Sequence, residues 1–406
     1  MSTVRAGLDV VVPDDAGRPT GGSLYDRRLV AALGALGRPA RLVPVAGDWP
    51  APDGAARARL RRALGAPAPS RSVLLDGLVG CAAPEAVGHA VRSGVPVHLL
   101  VHLPLPAETG LDPAAAADLA RREAAALAAA TGVLTPSAWA ARDLLRRYGT
   151  ADAAVAEPGV QRGPVAAGSR PPRLTCLASL TPRKNQLLLL EALAPLAGLD
   201  WTLDLVGPAG DAAHVDALRA AVEAFPDPGR VRCPGPLEGA ALARQWARTD
   251  LLLLPSTVET YGMVVTEALA QGVPAVVAAG TGAVEALDGT PAPRGAAGAR
   301  AGAALDPADP SAWTAALEEW LTGPALRARW RSAALARRER LRGWEDTARD
   351  VLAAIDRPLG PSGSPGGGAA AEHAAAEHAA AEHATVTATD GSADHDTTTD
   401  RTRRPR

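Results

Sequence analysis

An excess of either charge is missing from this sequence: 42 Lys and Arg stand against 44 Asp and Glu in 406 residues, a formal net charge of −2. That balance removes the electrostatic case for a nucleic-acid partner. Aromatic residues make up only 3%. Cysteine is scarce as well. Cys81, Cys176 and Cys233 lie far apart, with neither metal-ligand spacing nor the density of a disulfide framework. Reduced, buried thiols in a cytoplasmic protein are expected. Long apolar runs are absent too: the longest, 124–130, is too short to cross a bilayer and follows Arg121, Arg122 and Glu123. The opening MSTVRAGLDVVVP passes straight into an expected strand without the apolar core of a signal segment. No G-x-G-x-x-G fingerprint supports a dinucleotide cofactor, and no D-x-D-like loop offers a metal seat.

What is present is enough apolar residue, 47% and much of it Ala, for two domains and a tail. The most informative stretch is 250–277, DLLLLPSTVETYGMVVTEALAQGVPAVV. Leu251–Leu254 is a run of strand length closed by Pro255 and Ser256. A loop carries Glu259, Thr260, Tyr261 and Gly262. MVVTEALAQG has helix composition and stops at Gly272, and AVV reads as the next strand. Such strand–loop–helix–strand units build parallel α/β sheets, whose ligands sit at the carboxyl ends of the strands. The loop 255–262 is therefore the expected site. It sets Glu259 and Glu267 with seven residues between them. Gly262 permits close backbone approach, and the N–H groups of Gly262, Met263 and Val264 open a helix that can face an anion.

The same alternation runs through the chain. Strands are expected at 7–13, 41–45, 72–76, 95–101 and 132–135, with helices between them, and this pattern fits one doubly wound sheet up to about residue 150. Gly21 and Gly22 precede the first helix. His102 falls at the carboxyl end of a strand, in HLPLP, and Ser137 is placed to cap a helix. VAEPGV, 155–160, reads as the hinge. In the second half, strands are expected at 173–178, 201–206 and 231–233. Arg183 and Lys184 precede the helix near Asn185, where two cations beside a helix N-terminus suit a diphosphate. The basic stretch 327–342 reads as solvated surface, with weak peripheral membrane contact left open. From 358 the composition changes to PLGPSGSPGGG, three AAAEH repeats and a Thr- and Asp-rich end. A five-residue period turns each His by about 140° around a helix, so the three share no face. A disordered low-complexity tail is expected.

The string P-S-x-x-E-x-x-G-x-x-x-x-E-A-L-A-x-G-x-P-x-V resembles the nucleotide-sugar site of bacterial retaining glycosyltransferases of family 4. Glu259 and Glu267 match that family's E-x7-E signature, and His102 with Pro104 and Leu105 matches its H-x-P-L segment. The resemblance covers nearly all of 1–356, more strongly in the second half. It implies an α/β, GT-B-like fold: two Rossmann-like, doubly wound domains facing across a cleft. The expected bounds are 1–153 for the acceptor side, 154–335 for the nucleotide sugar, and 336–357 for a helix returning to the first domain. It further implies catalytic roles for Glu259, His102 and Lys184. Donor contacts are implied for Gly22, Gly159, Arg183, Lys184, Leu237, Gly262, Met263, Val264 and Glu267, with Glu267 on the ribose and Glu259 on the transferred sugar. The substrates implied are a nucleoside-diphosphate sugar, UDP- or GDP-linked, and an acceptor that is a small molecule, a glycan or a lipid. No metal or other cofactor is implied. The sequence departs from the family at Ser179, where many members carry Arg, and at Thr281, where a glycine is usual. Glu285 in TGAVEAL reads as a surface helix residue. A GT-B nucleotide-sugar epimerase and an inactive nucleotide-sugar-binding protein are the alternatives.

Overall fold

The computed structural model describes residues 7–14, 20–65, 71–150, 152–289 and 300–357. LDVVVP at Leu8–Pro13 (β1) is apolar except at Asp9, which pairs with Arg41 and Arg71, and is buried along nearly its whole length. A strand of that kind is stable only inside a sheet covered on both sides, the usual setting of parallel strands. It pairs in parallel with Ala40–Val45 (β2) and Ser72–Asp76 (β3). Val97–Leu100 (β4), Gly132–Thr135 (β5) and Ala154–Val155 (β6) complete the first sheet, in the order β2-β1-β3-β4-β5-β6. The second sheet holds Arg173–Leu177 (β7), Thr202–Val206 (β8), Val231–Gly235 (β9), Leu251–Leu254 (β10), Ala275–Ala278 (β11) and Gly302–Leu305 (β12). Its order is β12-β11-β10-β7-β8-β9. Among the described residues these twelve strands form two doubly wound parallel sheets, each with apolar clusters around it.

Each sheet has one place where the strand order reverses, between β1 and β3 in the first and between β7 and β10 in the second. At such a point the helices leave to opposite faces and open a crevice beyond the carboxyl ends of the strands. The loops after β7 and β10 carry Lys184 and Glu259. Residues around the first crevice include Gly22, Asp76 and His102.

Several expectations shift. Ala154–Val155 pairs with β5, so the first sheet runs past residue 153 and the boundary moves toward the chain that follows. DGLVG forms the short helix Gly77–Gly80, capped by Asp76, whose carboxylate accepts from Leu78 N at 2.7 Å. Cys81 and Cys176 are buried, but Cys233 on the edge strand β9 is exposed. The basic stretch is not a free cationic face. Arg331 donates to the carbonyl of Ala166, and Arg338 donates to those of Ala270 and Gly163. These guanidiniums close loop backbone that would otherwise be unpaired. No helix among the described residues is long and apolar enough to cross a membrane. The AAAEH repeats and the rest of 358–406 lie outside the described residues.

Two features brace the first domain. The helix Trp344–Ile355 crosses from the second domain and buries Ala348, Val351 and Ile355 against the first-domain core, beside Tyr25 and Leu29. Thr347 fixes it by donating to the carbonyl of Glu157 at 2.7 Å. The second brace is Glu123, fully buried in the helix Pro113–Ala129. It accepts from Leu105 N at 3.2 Å and from the Tyr148 hydroxyl at 2.6 Å, so it anchors the loop that follows His102. Burial pushes its carboxyl up to about 7, against the bonds from Tyr148 and Leu105 and the charge of Arg147.

The unfolded chain releases that proton near pH 4.3, to order of magnitude, while the folded chain keeps it to about 7. Stability contributed by Glu123 is therefore lost as pH rises through this window and is constant above it. Glu123→Gln should remove this slope. Denaturant titrations at pH 4.5 and 7.5 should show the variant gaining on the wild type by on the order of 3 kcal/mol at the higher pH. A difference that does not change with pH would contradict the assignment.

Candidate active site

Beyond β7 the chain makes a single tight turn, Pro182–Lys184, before the helix Gln186–Leu193. Asn185 joins them with φ +55°, a left-handed conformation that Asn tolerates better than most side chains. Its amide donates to the carbonyl of Pro307 at 3.0 Å, which fixes the turn. The loop after β10 lies alongside. Thr257 N donates to the carbonyl of Arg183 at 2.9 Å, and Arg183 Nη1 donates to the carbonyl of Val258 at 3.1 Å. The two loops are thus one unit, and it brings Lys184 Nζ to 2.6 Å from Glu259 Oε2. Each of these side chains is 13% exposed.

That pair decides the charge of Glu259. Burial pushes its carboxyl up, but Lys184, Arg183 and Ser256 outweigh burial and hold it below the usual carboxylate range. Glu267 has no such partner. Burial pushes it up to about 7, with only Arg28 of the first domain opposing. Gly262 separates the two, with φ +84° at the start of the helix Met263–Ala270. A side chain there would be strained by this φ and would press on Leu254 and on Glu259. Met263 packs against the cores of both domains, and Val264 is half-buried beside it.

The first domain supplies His102, just after β4. Its Nε2 lies 3.3 Å from Asp26 Oδ1, and the Tyr25 ring stands edge-on to it with centroids 5.0 Å apart. Gly22 lies against the same ring: a Cβ at that position would reach 3.0 Å from His102 Cδ2. The glycine therefore makes room for His102. Burial pushes the imidazole pKa down, but the carboxylates of Asp26 and Asp76 prevail and leave it raised. Thr260 links the domains here. Its hydroxyl donates to the His102 carbonyl at 2.6 Å, and its own carbonyl accepts from Ser137 Oγ at 2.5 Å. Ser137 also caps its helix, accepting from Ala140 N.

Other expected residues are placed differently. Gly159 abuts the backbone of Gly343 and Trp344, so its lack of a side chain admits the returning segment. Leu237 follows the edge strand β9, two strands from β7, and lines a surface groove with Ala241 and Arg244. Arg183 is bound to Glu108 of the first domain at 3.1 Å and to the carbonyl of Val258. Thr281 is buried and its hydroxyl accepts from Ala283 N at 3.3 Å, beginning the next helix. Glu285 is not a surface residue. Its side chain is 16% exposed and meets Arg142 of the first domain at 2.7 Å. Sequence reasoning placed Thr260 in the site loop without a role, and it missed Asp26, Asp76 and Glu108. Asp76 ends a strand and so carried a positional signal; the others carried none.

Two doubly wound domains joined across a cleft define the GT-B arrangement, and solved structures share it. Sucrose-phosphate synthase from Thermosynechococcus elongatus matches with a TM-score of 0.68 at 19% identity, covering 86% of this chain and 97% of that one. The Anabaena protein HepE in complex with UDP-glucose matches at 0.67 and 15%, covering 87% and 100%. In sequence, residues 161–337 match the family model described as glycosyl transferases group 1. The D-inositol 3-phosphate glycosyltransferase of Kineococcus radiotolerans is 34% identical over 158 residues, 38% of this chain and 35% of that protein. Its counterpart from Nocardioides is 37% identical over 123 residues, 30% of this chain and 24% of that protein. The chain thus matches about a third or less of the length of these relatives.

Breaking a buried pair strands the remaining charge and costs about 3–5 kcal/mol, whereas removing both partners costs less. Lys184→Ala and Glu259→Ala should therefore each destabilise the protein, and the double variant should be more stable than the sum predicts. A double-mutant cycle by denaturant unfolding measures this, and simple additivity would show that the pair is not coupled.

Proposed function

We propose that the protein is a retaining glycosyltransferase that moves a sugar from a nucleoside-diphosphate sugar, UDP- or GDP-linked, to a hydroxyl-bearing acceptor. The observation that carries this reading is the joint position of Lys184 and Glu259. They meet at the strand-order reversal of the second sheet, within the segment that matches the glycosyl transferases group 1 model. A carboxylate and an ammonium in that crevice suit a ligand with both a diphosphate and sugar hydroxyls.

As the donor's bond to its diphosphate breaks, negative charge builds on the departing oxygens. Lys184 and the N–H groups of Gly262, Met263 and Val264 are the groups that offset it. Glu259 has its proton removed and its position set by Lys184, ready to accept from a hydroxyl of the transferred sugar or to stabilise positive charge at the reacting carbon. Glu267, buried without a cation of its own, suits a ribose diol: two hydroxyl donors lower the cost of its charge. His102 borders the cleft from the other domain. Closure of the domains excludes water and limits hydrolysis of the donor. In this reading no metal is required in the donor half, and the protein works in the cytoplasm. The acceptor belongs to the first domain and is a small molecule, a glycan or a lipid.

The test is nucleotide release from a panel of UDP- and GDP-sugars, with and without a cell extract as acceptor source. Release from one donor, increased by extract, is expected. Glu259→Gln should cut it by about 100-fold or more while keeping a folded circular-dichroism spectrum. A wild-type protein that binds nucleotide yet releases none from any donor would overturn the transferase reading in favour of a binding protein.

A further inference from the structure

The first-domain crevice contains a second group of charges that the proposed chemistry leaves unused. Asp26 comes from the first turns of the helix Gly21–Ala35, Asp76 from the end of β3, and His102 from the chain just after β4. Their ligating atoms all lie within 4.8 Å of one another. Both carboxylates are more than nine-tenths buried, and Asp26 Oδ2 is buried with no hydrogen-bond partner. The His102 side chain, by contrast, keeps 18% exposure. Two acids are thus enclosed behind a base that reaches the cleft.

We propose that Asp26 is a positioning residue for the transfer reaction: with Asp76 it holds the His102 imidazole protonated and fixed in orientation at the cleft. The proposal rests on the glycosyltransferase reading for its function but on the geometry alone for the linkage between the residues.

Two carboxylates and one imidazolium carry a net charge of −1, and a further shared proton makes the buried group neutral. Asp76 takes such a proton only below about pH 6, and above that both carboxylates face the imidazolium. Burial pushes its carboxyl up to about 6, with His102 pulling it down and Asp26 pushing it up. Asp76 cannot turn freely to meet His102, because Oδ1 accepts from Leu78 N. Asp26 is left as the direct partner of Nε2. Gly22 and the Tyr25 ring confine the imidazole further. Tyr25 adds no competing hydroxyl, since its OH donates to the carbonyl of Ala156 at 2.9 Å. The charged groups that act on Tyr25 from beyond this cluster are Asp350 in the returning helix and Arg342 just before it, and the neutral phenol of Tyr261 also faces it from the second domain. An imidazolium held in this way presents fixed positive charge on the first-domain side of the cleft, where it favours a departing diphosphate or a hydroxyl oxygen of the sugar.

The experiment follows the His102 ring in the full chain by 15N-detected titration, with His102→Gln for assignment. Wild type, Asp26→Asn, Asp76→Asn and Asp26→Glu are compared, and kcat and KM are measured against pH. In Asp26→Asn the His102 midpoint should fall by one pH unit or more. The alkaline limb of the kcat profile should move down with it, with KM changing less than threefold. Asp26→Glu should restore part of both, and Asp76→Asn should move the midpoint less than Asp26→Asn does. An unchanged midpoint in folded Asp26→Asn overturns the proposal. So does one equivalent of divalent metal that co-purifies with the wild type and is lost in that variant. A shifted midpoint in a protein that releases nucleotide from no donor keeps the linkage and overturns the transferase reading.

Discussion

Thr260 is held by the first domain from both of its ends, and the site depends on that constraint. Its hydroxyl reaches the His102 carbonyl and its carbonyl receives Ser137 Oγ. Glu259 is its neighbour in sequence, and the Glu259 carbonyl accepts from Gly282 N at 2.7 Å. Gly282 has to be glycine, because a Cβ there would run into the Thr260 backbone. One short loop therefore fixes three things together: the separation of the domains, the height of His102, and the direction of Glu259. The outer contacts reinforce this geometry. Trp139 Nε1 donates to the Gly280 carbonyl at 2.7 Å, and Arg142 pairs with Glu285.

The acids at the cleft differ in how they meet the cost of burial. Glu259 keeps its charge by pairing with Lys184. Burial pushes Glu267, opposed only by Arg28, up to about 7, and Asp76, opposed by His102, up to about 6. Similar carboxyl groups thus differ in how readily they give up a proton, which is how a site divides electrostatic and hydrogen-bonding roles among them. Under the proposed function, the donor completes this arrangement. Its diphosphate is a second anion for Lys184, and its ribose supplies hydroxyls for Glu267.

Most of the fold was legible in the sequence because buried parallel strands leave an unmistakable mark. LLLL at Leu251–Leu254 and LDVVVP at Leu8–Pro13 are strands bounded by loop residues, and both lie inside a sheet. The two-residue strand Ala154–Val155 was not legible, since its pairing with β5 comes from position and not from composition. Lys184 and Glu259 stood out through their loops, and the structure brings them into contact across 75 residues of chain. Partners set by tertiary packing were hidden. Glu285 looks like any exposed helix glutamate until Arg142 meets it, and nothing in the sequence shows that Gly159 lies against Gly343 and Trp344. In the basic run at 327–342, Arg329 and Arg340 are exposed as expected, but Arg331 and Arg338 are taken up by carbonyls that lie far away in sequence.

Because Glu259 is the counter-ion of Lys184, a diphosphate that binds Lys184 must compete with it for that cation. Calorimetric titration of the wild type and Glu259→Gln with UDP and GDP tests this most directly. The neutral variant should bind the cognate diphosphate more tightly, by several-fold, because the carboxylate no longer competes for the ammonium or repels the ligand. Weaker binding by a folded Glu259→Gln would contradict the account, because the carboxylate would then be helping to hold the nucleotide and not competing with it.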